Sequence, residues 1–486
     1  MMGWPATFFV LILFLILGAP NASAAVEVML ALDRSLSMAS NDPERNSLKG
    51  IEVFSSLLKP DDRFGVLTFA NTAELRVSGK NMPGGRIRDD LDAFLRTVKM
   101  DGTRTDFGAA LRLGYETYAR QPAKAGVDRF LVLFTDGQLN LGNKQAPQAA
   151  RQAIFDEIIP LYRAARIRIF GIAFSSEADL GFLDQLAEAT GGQSFRTERS
   201  EDLYAAFVQL FEQVDIPLTM PIVGDEIVVD ANVQGLELLV KRGPSDGQMR
   251  LTDPSNRELK AGDHRPGVEW QSFDDFDHIR IQNPEAGAWK LTTTSTDKTA
   301  YIESDLDVDA DIPLRVQGGT RVTVTALLTN RAPGSDPALL TGARLEARIY
   351  DASTLKQPPV SFESVSMGED GHRYRGTLLF ASTGYARVEV TARGRGFQRT
   401  KNYQVQVVAS APASDVVSAD VDRLSAHGSE SLPSALAQRS AAMNLLVVNA
   451  LVLLVLALVL GVWWWRRRSS GDRDESDLDV GVRDDD

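Results

Sequence analysis

Between Val26 and Phe174 the chain alternates short, almost wholly apolar runs with stretches of helical periodicity, and nothing else in the sequence constrains the fold as much. The runs are VEVMLALD (26–33), RFGVLTFA (63–70), RFLVLFTD (129–136) and RIRIFGIAF (166–174). Near-continuous apolar runs rich in β-branched and aromatic residues mark strands buried on both faces. Helical spacing fills the intervals at 48–58, 107–118, 149–165 and 179–189, and a last helix is expected over 201–214 before Pro217 and Pro221. Strand–helix alternation of this kind predicts βαβ units, hence a doubly wound, Rossmann-like α/β domain with a parallel sheet, placed at residues 26–215.

After Pro221 the texture changes to short alternating segments such as DEIVVDANV, LELLVKR, VEWQSF, HIRIQNP and AWKLTTT. Strands about ten residues apart with Gly, Pro or Asn between them predict a β-sandwich. A second set follows, including TRVTVTALLTN, ARLEARIYD, RYRGTLLF, ARVEVTARG and NYQVQVV, with a hairpin expected at Gly368-Glu369-Asp370-Gly371. The expectation is two sandwich modules, 216–311 and 312–408, with the boundary at Asp305 to Pro313. Residues 409–440, rich in Ala, Ser and Pro, read as a flexible stalk of about 30 Å r.m.s. reach.

Both ends carry apolar stretches. Phe8 to Leu17 rises only about 15 Å as a helix, half of a hydrocarbon core. The small-residue pattern Ala22-Ser23-Ala24 follows it, so residues 1–24 read as a signal peptide cleaved after Ala24, with an uncleaved anchor as the alternative. Leu445 to Trp465 spans about 31 Å as a helix, enough to cross a bilayer. Three tryptophans close that segment and Arg466, Arg467 and Arg468 follow, which favours a cytoplasmic C-terminus. The expectation is a single-pass type I membrane protein. Its N-terminal domains are periplasmic or extracellular, and a short acidic tail at 466–486 lies inside.

Composition removes several classes of function. Lys plus Arg is 52 against 65 Asp plus Glu, a net charge of −13, which argues against nucleic acid as a partner. With no cysteine and four histidines, disulfides, thiolate metal sites and cysteine nucleophiles are excluded, and no HExxH offers a zinc site. No phosphate-binding glycine loop follows a strand. The alternating Asp305, Asp307, Asp309 and Asp311 share one face of an extended chain and could chelate Ca²⁺, although a solvated inter-domain edge is the favoured reading. Asp274, Asp275 and Asp277 beside His278 lack the Gly and terminal Glu of a calcium loop and read as loop surface.

The chemistry concentrates at the end of the first run, Asp33-Arg34-Ser35-Leu36-Ser37. In open α/β sheets ligands bind beyond the carboxyl ends of the strands, where the strand order reverses. One carboxylate and two hydroxyls aimed there are hard oxygen donors, suited to Mg²⁺. The competing reading is that these residues simply cap the next helix. Two further pieces accompany them: the loop Asp101-Gly102-Thr103-Arg104-Thr105-Asp106 leading into a helix, and Asp136-Gly137 at the end of the third run.

Together these pieces resemble a von Willebrand factor A (VWA) domain with a metal-ion-dependent adhesion site. The resemblance covers about residues 26–215 and implies Asp33, Ser35, Ser37, Thr105 and Asp136 as metal ligands, with Thr103 the rival of Thr105. It implies Mg²⁺, with Mn²⁺ or Ca²⁺ as alternatives. The hydroxyls would bind the metal directly and the two aspartates largely through water, leaving a position for a carboxylate from a partner protein. The stretch from Ile281 to Leu291 resembles sandwiches that follow the A domain in calcium-activated chloride channel regulators and some bacterial surface proteins. Their zinc-protease motif is absent here, so self-cleavage is not implied. Thr383-Gly384-Tyr385 with Val388 and Val390 resembles an immunoglobulin-like module without its disulfide. The function expected is metal-dependent protein–protein recognition or adhesion at a bacterial cell envelope, without enzymatic activity. A constitutive accessory subunit of a membrane complex, with a stabilising Mg²⁺, is the alternative.

Overall fold

The computed structural model describes residues 25–409 apart from the short segments 82–84, 122–125, 143–145, 243–248, 333–336, 352–358 and 369–370. The expected leader (1–24), nearly all of the stalk, the spanning segment (445–465) and the tail (466–486) lie outside the described residues. Among the described residues no helix is long and apolar enough to cross a membrane.

The first part is built from β1 (Val26–Asp33), α1 (Leu36–Asn41), α2 (Asn46–Leu57), β2 (Arg63–Phe69), β3 (Ala73–Asn81), α3 (Gly85–Thr97), α4 (Phe107–Ala119) and β4 (Asp128–Thr135). It continues with α5 (Ala146–Ala153), a π turn (Ile154–Ile158), α6 (Ile159–Ala164), β5 (Ile167–Phe174), α7 (Leu180–Thr190), β6 (Ser194–Thr197) and α8 (Leu203–Val214). The strands form one six-stranded sheet in the order β3-β2-β1-β4-β5-β6. Alternate residues of β1 feed two different cores: Val28, Leu30 and Leu32 pack with α2 and α8, whereas Met29 and Ala31 pack with α4, α6 and α7. That two-sided burial explains why the strand is apolar without a break from Val28 to Leu32. Pro160, which has no N–H to donate, sits just beyond the π turn that interrupts the long helix.

The sheet is mixed, where the spacing predicted a parallel one. β3 runs antiparallel to β2. Only Ala70, Asn71 and Thr72 separate the two strands, too few for the crossover that parallel pairing needs. β3, α1 and α3 were not among the elements expected from the sequence. α1 is a single polar-rich turn and a half, and among its described side chains α3 buries Leu91, Phe94 and Leu95 beside charged residues.

The remaining strands are β7 (Leu218–Met220), β8 (Glu226–Val229), β9 (Val233–Lys241), β10 (Arg250–Thr252), β11 (Glu258–Leu259), β12 (Val268–Ser272), β13 (Phe276–Gln282), β14 (Gly287–Thr292) and β15 (Lys298–Ser304). Then come β16 (Leu306–Ala310), β17 (Arg315–Gln317), β18 (Thr320–Asn330), β19 (Arg344–Asp351), β20 (Val360–Gly368), β21 (Gly371–Phe380), β22 (Gly384–Gly394) and β23 (Phe397–Val408). They form a four-stranded sheet, β11-β10-β14-β8, and a continuous thirteen-stranded sheet. Hydrogen bonding therefore does not stop at the expected boundary between two modules. β7 pairs with β15 on one side and β23 on the other, and one apolar core runs from Leu218 to Val407. β20 pairs with β19 through Val360 to Phe362 and with β21 through Glu363 to Gly368, with a register shift near Ser364, so one strand serves both layers. The expected hairpin is present in its flanks, with Gly368 opposite Gly371.

The two parts pack together. Leu239, Phe276 and Tyr301 of the β region belong to the core beneath α2 and α8. Lys49 on α2 pairs with Asp275 at 2.7 Å, and Tyr385 stacks on Phe195 and donates to the Ser194 carbonyl. Of the acidic residues beside His278, Asp274 is exposed as expected, but Asp277 is buried and takes Arg242, Trp270 and Ser272. The alternating aspartates are distributed as well. Asp307 pairs with Lys401 at 3.0 Å, Asp309 accepts from Tyr403, Asp311 from the Thr325 N–H, and Asp305 from Gln234.

Candidate metal site

β1 lies between β2 and β4, so the chain leaves it toward one edge and returns on the other side, and the strand order reverses there. Asp33 is the last residue of β1, and Asp136 directly follows β4. Both carboxylates therefore stand at the carboxyl ends of adjacent parallel strands, at the switch point where such sheets bind ligands.

Asp33 is fully buried. Its Oδ1 accepts the Ser35 N–H at 2.8 Å and its Oδ2 accepts the Thr135 hydroxyl at 2.6 Å. Ser35 stands at the N-cap of α1, yet its side chain makes no capping bond. The helix-capping reading of these serines is thereby set aside. Ser35 Oγ instead lies 2.9 Å from Ser37 Oγ, and Ser37 Oγ donates to Asp136 Oδ1 at 2.8 Å. Asn41 Nδ2, one turn further along α1, donates to Asp136 Oδ2 at 2.8 Å.

The Gly-Thr loop is strapped to the same place. Leu36 N–H donates to the Gly102 carbonyl at 2.8 Å and Gly102 N–H to the Arg34 carbonyl at 2.9 Å. A side chain at Gly102 would meet Ala70 Cβ at 2.2 Å, so only glycine permits this approach. Thr105 is buried and exchanges two backbone bonds with Asn140. A Cβ on Gly137 would sit 3.7 Å from Thr105 Oγ1 and 4.0 Å from Ser37 Oγ, so both hydroxyls border the bare Cα of that glycine. Thr103, the rival, is exposed and bonded to Asn71 by its hydroxyl and its N–H.

Of the five residues expected from the sequence, Ser35, Ser37 and Asp136 form one hydrogen-bonded chain, with Asp33 anchored beneath it and Thr105 alongside. Three supporting residues were not anticipated. Thr135 had a readable signal, being adjacent to Asp136, whereas Asn41 lies on a helix that the sequence did not announce. Ser175 had no such signal. It holds φ at +108°, a strained value for a residue with a side chain, and its hydroxyl donates to the Asp136 carbonyl at 2.8 Å.

Burial pushes the Asp33 carboxyl up to about 7; the bonds from Thr135 and Ser35 oppose this and the Asp136 charge adds to it. Burial also raises Asp136, against its bonds from Ser37 and Asn41. Arg34, the nearest cation in sequence, is turned to Asp101. Two carboxylates held in low dielectric by neutral donors favour a cation between them. The donor set is all hard oxygen, three hydroxyls and two carboxylates, and fits Mg²⁺, Mn²⁺ or Ca²⁺ better than a soft metal. Among the described residues no group of three or more His, Cys, Asp or Glu is placed to hold a metal. A site built mainly from hydroxyls falls outside that description.

Residues 27–210 match the von Willebrand factor type A domain, and residues 222–301 match the hemicentin galactose-binding domain-like family. The α/β part of this chain is a VWA domain, a class that generally mediates protein–protein interaction or adhesion. Among solved structures, a von Willebrand factor type A protein from Catenulispora acidiphila is similar at 12% identity, covering 80% of this chain and 67% of that one, with a TM-score of 0.33. Proximal thread matrix protein 1 from the mussel byssus, described with a zinc-occupied MIDAS motif, is similar at 16% identity over 40% of this chain and 49% of that one, with a TM-score of 0.31. The ArnB paralog VWA2 from Sulfolobus acidocaldarius is 12% identical over 63% and 61%, with a TM-score of 0.27. No curated protein was found to match the chain.

Proposed function

We propose that this protein recognises a partner protein through a divalent cation, Mg²⁺ foremost, held by Asp33, Ser35, Ser37, Thr105 and Asp136. The observation that carries the reading is the bonded chain from Ser35 through Ser37 to Asp136 at the strand switch point. The cation supplies an electrophilic centre for a carboxylate from the partner. The chain's own residues do the rest. Thr135 and the Ser35 N–H fix the Asp33 carboxylate, Ser175 and Asn41 fix Asp136, and Gly137 leaves the approach to the hydroxyls free of a side chain. Leu36, 53% exposed between the two serines, adds apolar surface of the kind a protein ligand covers. No bond in the partner needs to break, so the role is binding and not catalysis. We infer further that the protein is exported by its leader and anchored by residues 445–465, with the β region as spacer at a cell envelope.

The test passes solubilised envelope proteins over the immobilised protein and over its Asp33→Ala/Ser35→Ala variant in Mg²⁺, followed by EDTA elution. A protein released only from the native column supports metal-bridged recognition. Equal recovery from both overturns it. Slow metal exchange with stable co-purification would favour the accessory-subunit reading.

A further inference from the structure

A cleft of about 440 Å³ opens between the VWA domain and the β region, and Ala25 is part of its wall. Seven carboxylates line it against three cations, Lys59, Arg331 and Lys401. Lys401 and Arg331 are both directed to Asp307, at 3.0 and 3.9 Å. Glu237 is served from behind by His278 and Arg280. Asp305 takes Gln234 and Asp61 is exposed to water, which leaves Lys59 to serve Asp62, Asp215 and Glu303. It pairs with Asp215 at 2.8 Å. Burial works against its charge, but the three carboxylates outweigh that and hold its pKa above the usual lysine value. Asp62 is 1% exposed, and burial, with Asp215 adding, pushes its carboxyl up to about 6. With seven carboxylates to three cations the cleft is short of positive charge, and the buried Asp62 is one of its walls.

The chain's own start lies at that point. Val26 N–H donates to Asp62 Oδ1 at 2.9 Å. Standard backbone dimensions then put the Ala25 nitrogen within about 6.5 Å of the same oxygen. We propose that this cleft is the seat of the protein's mature N-terminus, the α-ammonium of Ala25 supplying the missing cation. The proposal rests on the reading of residues 1–24 as a removable leader. Hydrolysis of the Ala24–Ala25 amide by a signal peptidase puts the hydroxyl of water on the Ala24 carbonyl. The Ala25 nitrogen is left as a free amine, protonated at neutral pH. The uncut precursor presents a neutral amide at the same place. Removal of the leader therefore adds an ion pair that ties the start of β1 to the walls contributed by β15 and by the turn after α2. Maturation and the fixing of the two parts against each other become one event.

The test uses the full chain, expressed with its leader and extracted from membranes in detergent. Intact mass gives the N-terminal residue, and melting followed by tryptophan fluorescence gives Tm. Four forms are compared: the native chain, Asp62→Asn, the cleavage-blocked Ala22→Leu/Ala24→Leu, and the combination. Glu303→Gln replaces Asp62→Asn if the latter does not fold. The expected result is a native chain that begins at Ala25, with the Asp62 substitution lowering Tm by about 2–4 °C more in the cut than in the uncut background. An N-terminus elsewhere overturns the proposal together with the leader reading. Equal losses in both backgrounds overturn the docking and leave the leader reading standing.

Discussion

Asn41 donates to the Asp136 carboxylate across 95 residues of sequence, at 2.8 Å, and holds the oxygen that Ser37 does not. A carboxylate gripped on both oxygens from one short helix cannot rotate away from the switch point. Partners that orient a metal ligand typically contribute 10–100-fold to affinity. Asn41→Leu should therefore weaken Mg²⁺ binding by about tenfold, measured by titration calorimetry, while the melting profile in EDTA changes little.

The two threonines of the Gly-Thr loop separate cleanly. Thr105 is buried with its hydroxyl beside Gly137, whereas Thr103 is exposed and held by Asn71. Thr105→Val keeps the side-chain shape and removes one hard donor. It should abolish measurable Mg²⁺ binding at millimolar metal, and Thr103→Val should leave affinity within about twofold. A reversal of the two results would move the ligand by two residues and displace the whole loop.

The strand–helix alternation placed Asp33 and Asp136 at strand ends, whereas Thr105 and the five candidate ligands as a set came from the resemblance to VWA domains. Asn41 and Ser175 were harder to see, since their roles depend on where α1 and the loop after β5 come to rest. The four strands buried on both faces announced themselves by composition, whereas β3 did not, because an edge strand is half exposed and polar. In the β region the strands alternate as expected. The pairing of Thr219 with Thr400 joins segments 181 residues apart, however, and no local pattern encodes it. The continuity of the sheet across the expected module boundary was invisible for that reason.

Asp33 makes stability depend on pH in a direction it shares with Asp62, so comparison with a variant isolates its part. Its folded pKa of about 7 lies above the ordinary carboxylate value, so the folded protein holds a proton that the unfolded chain releases between about pH 4 and 7. Metal-free protein should lose stability as pH rises through that window, by a few kcal/mol at most. Asp33→Asn, which cannot ionise, should make the curve shallower, leaving the part that Asp62 contributes. Mg²⁺ held at the proposed site would need the ionised carboxylate, so any rise in Tm it produces should be larger at pH 8 than at pH 5. Thermal melts in EDTA and in Mg²⁺ across pH 4–8 measure both effects, and a wild-type curve as flat as that of the variant would refute the assignment.

Arg399 has no exposed surface and forms a two-bond pair with Asp230 at 2.6 and 3.0 Å, with further bonds to Ser304 and the Leu306 carbonyl. Burial opposes the Asp230 charge, yet Arg399 outweighs it and holds the carboxyl below its usual range. The pair joins the residue just after β8 to β23 and so links the early and late halves of the β region. Removing one partner of such a pair leaves a buried charge uncompensated and typically costs about 3–5 kcal/mol. Arg399→Met should destabilise the β region by that order in urea unfolding. Arg399→Met with Asp230→Leu, which removes both charges, should recover most of the loss. If the single variant unfolds at the native urea midpoint, water reaches the pair and it does not hold the two halves together.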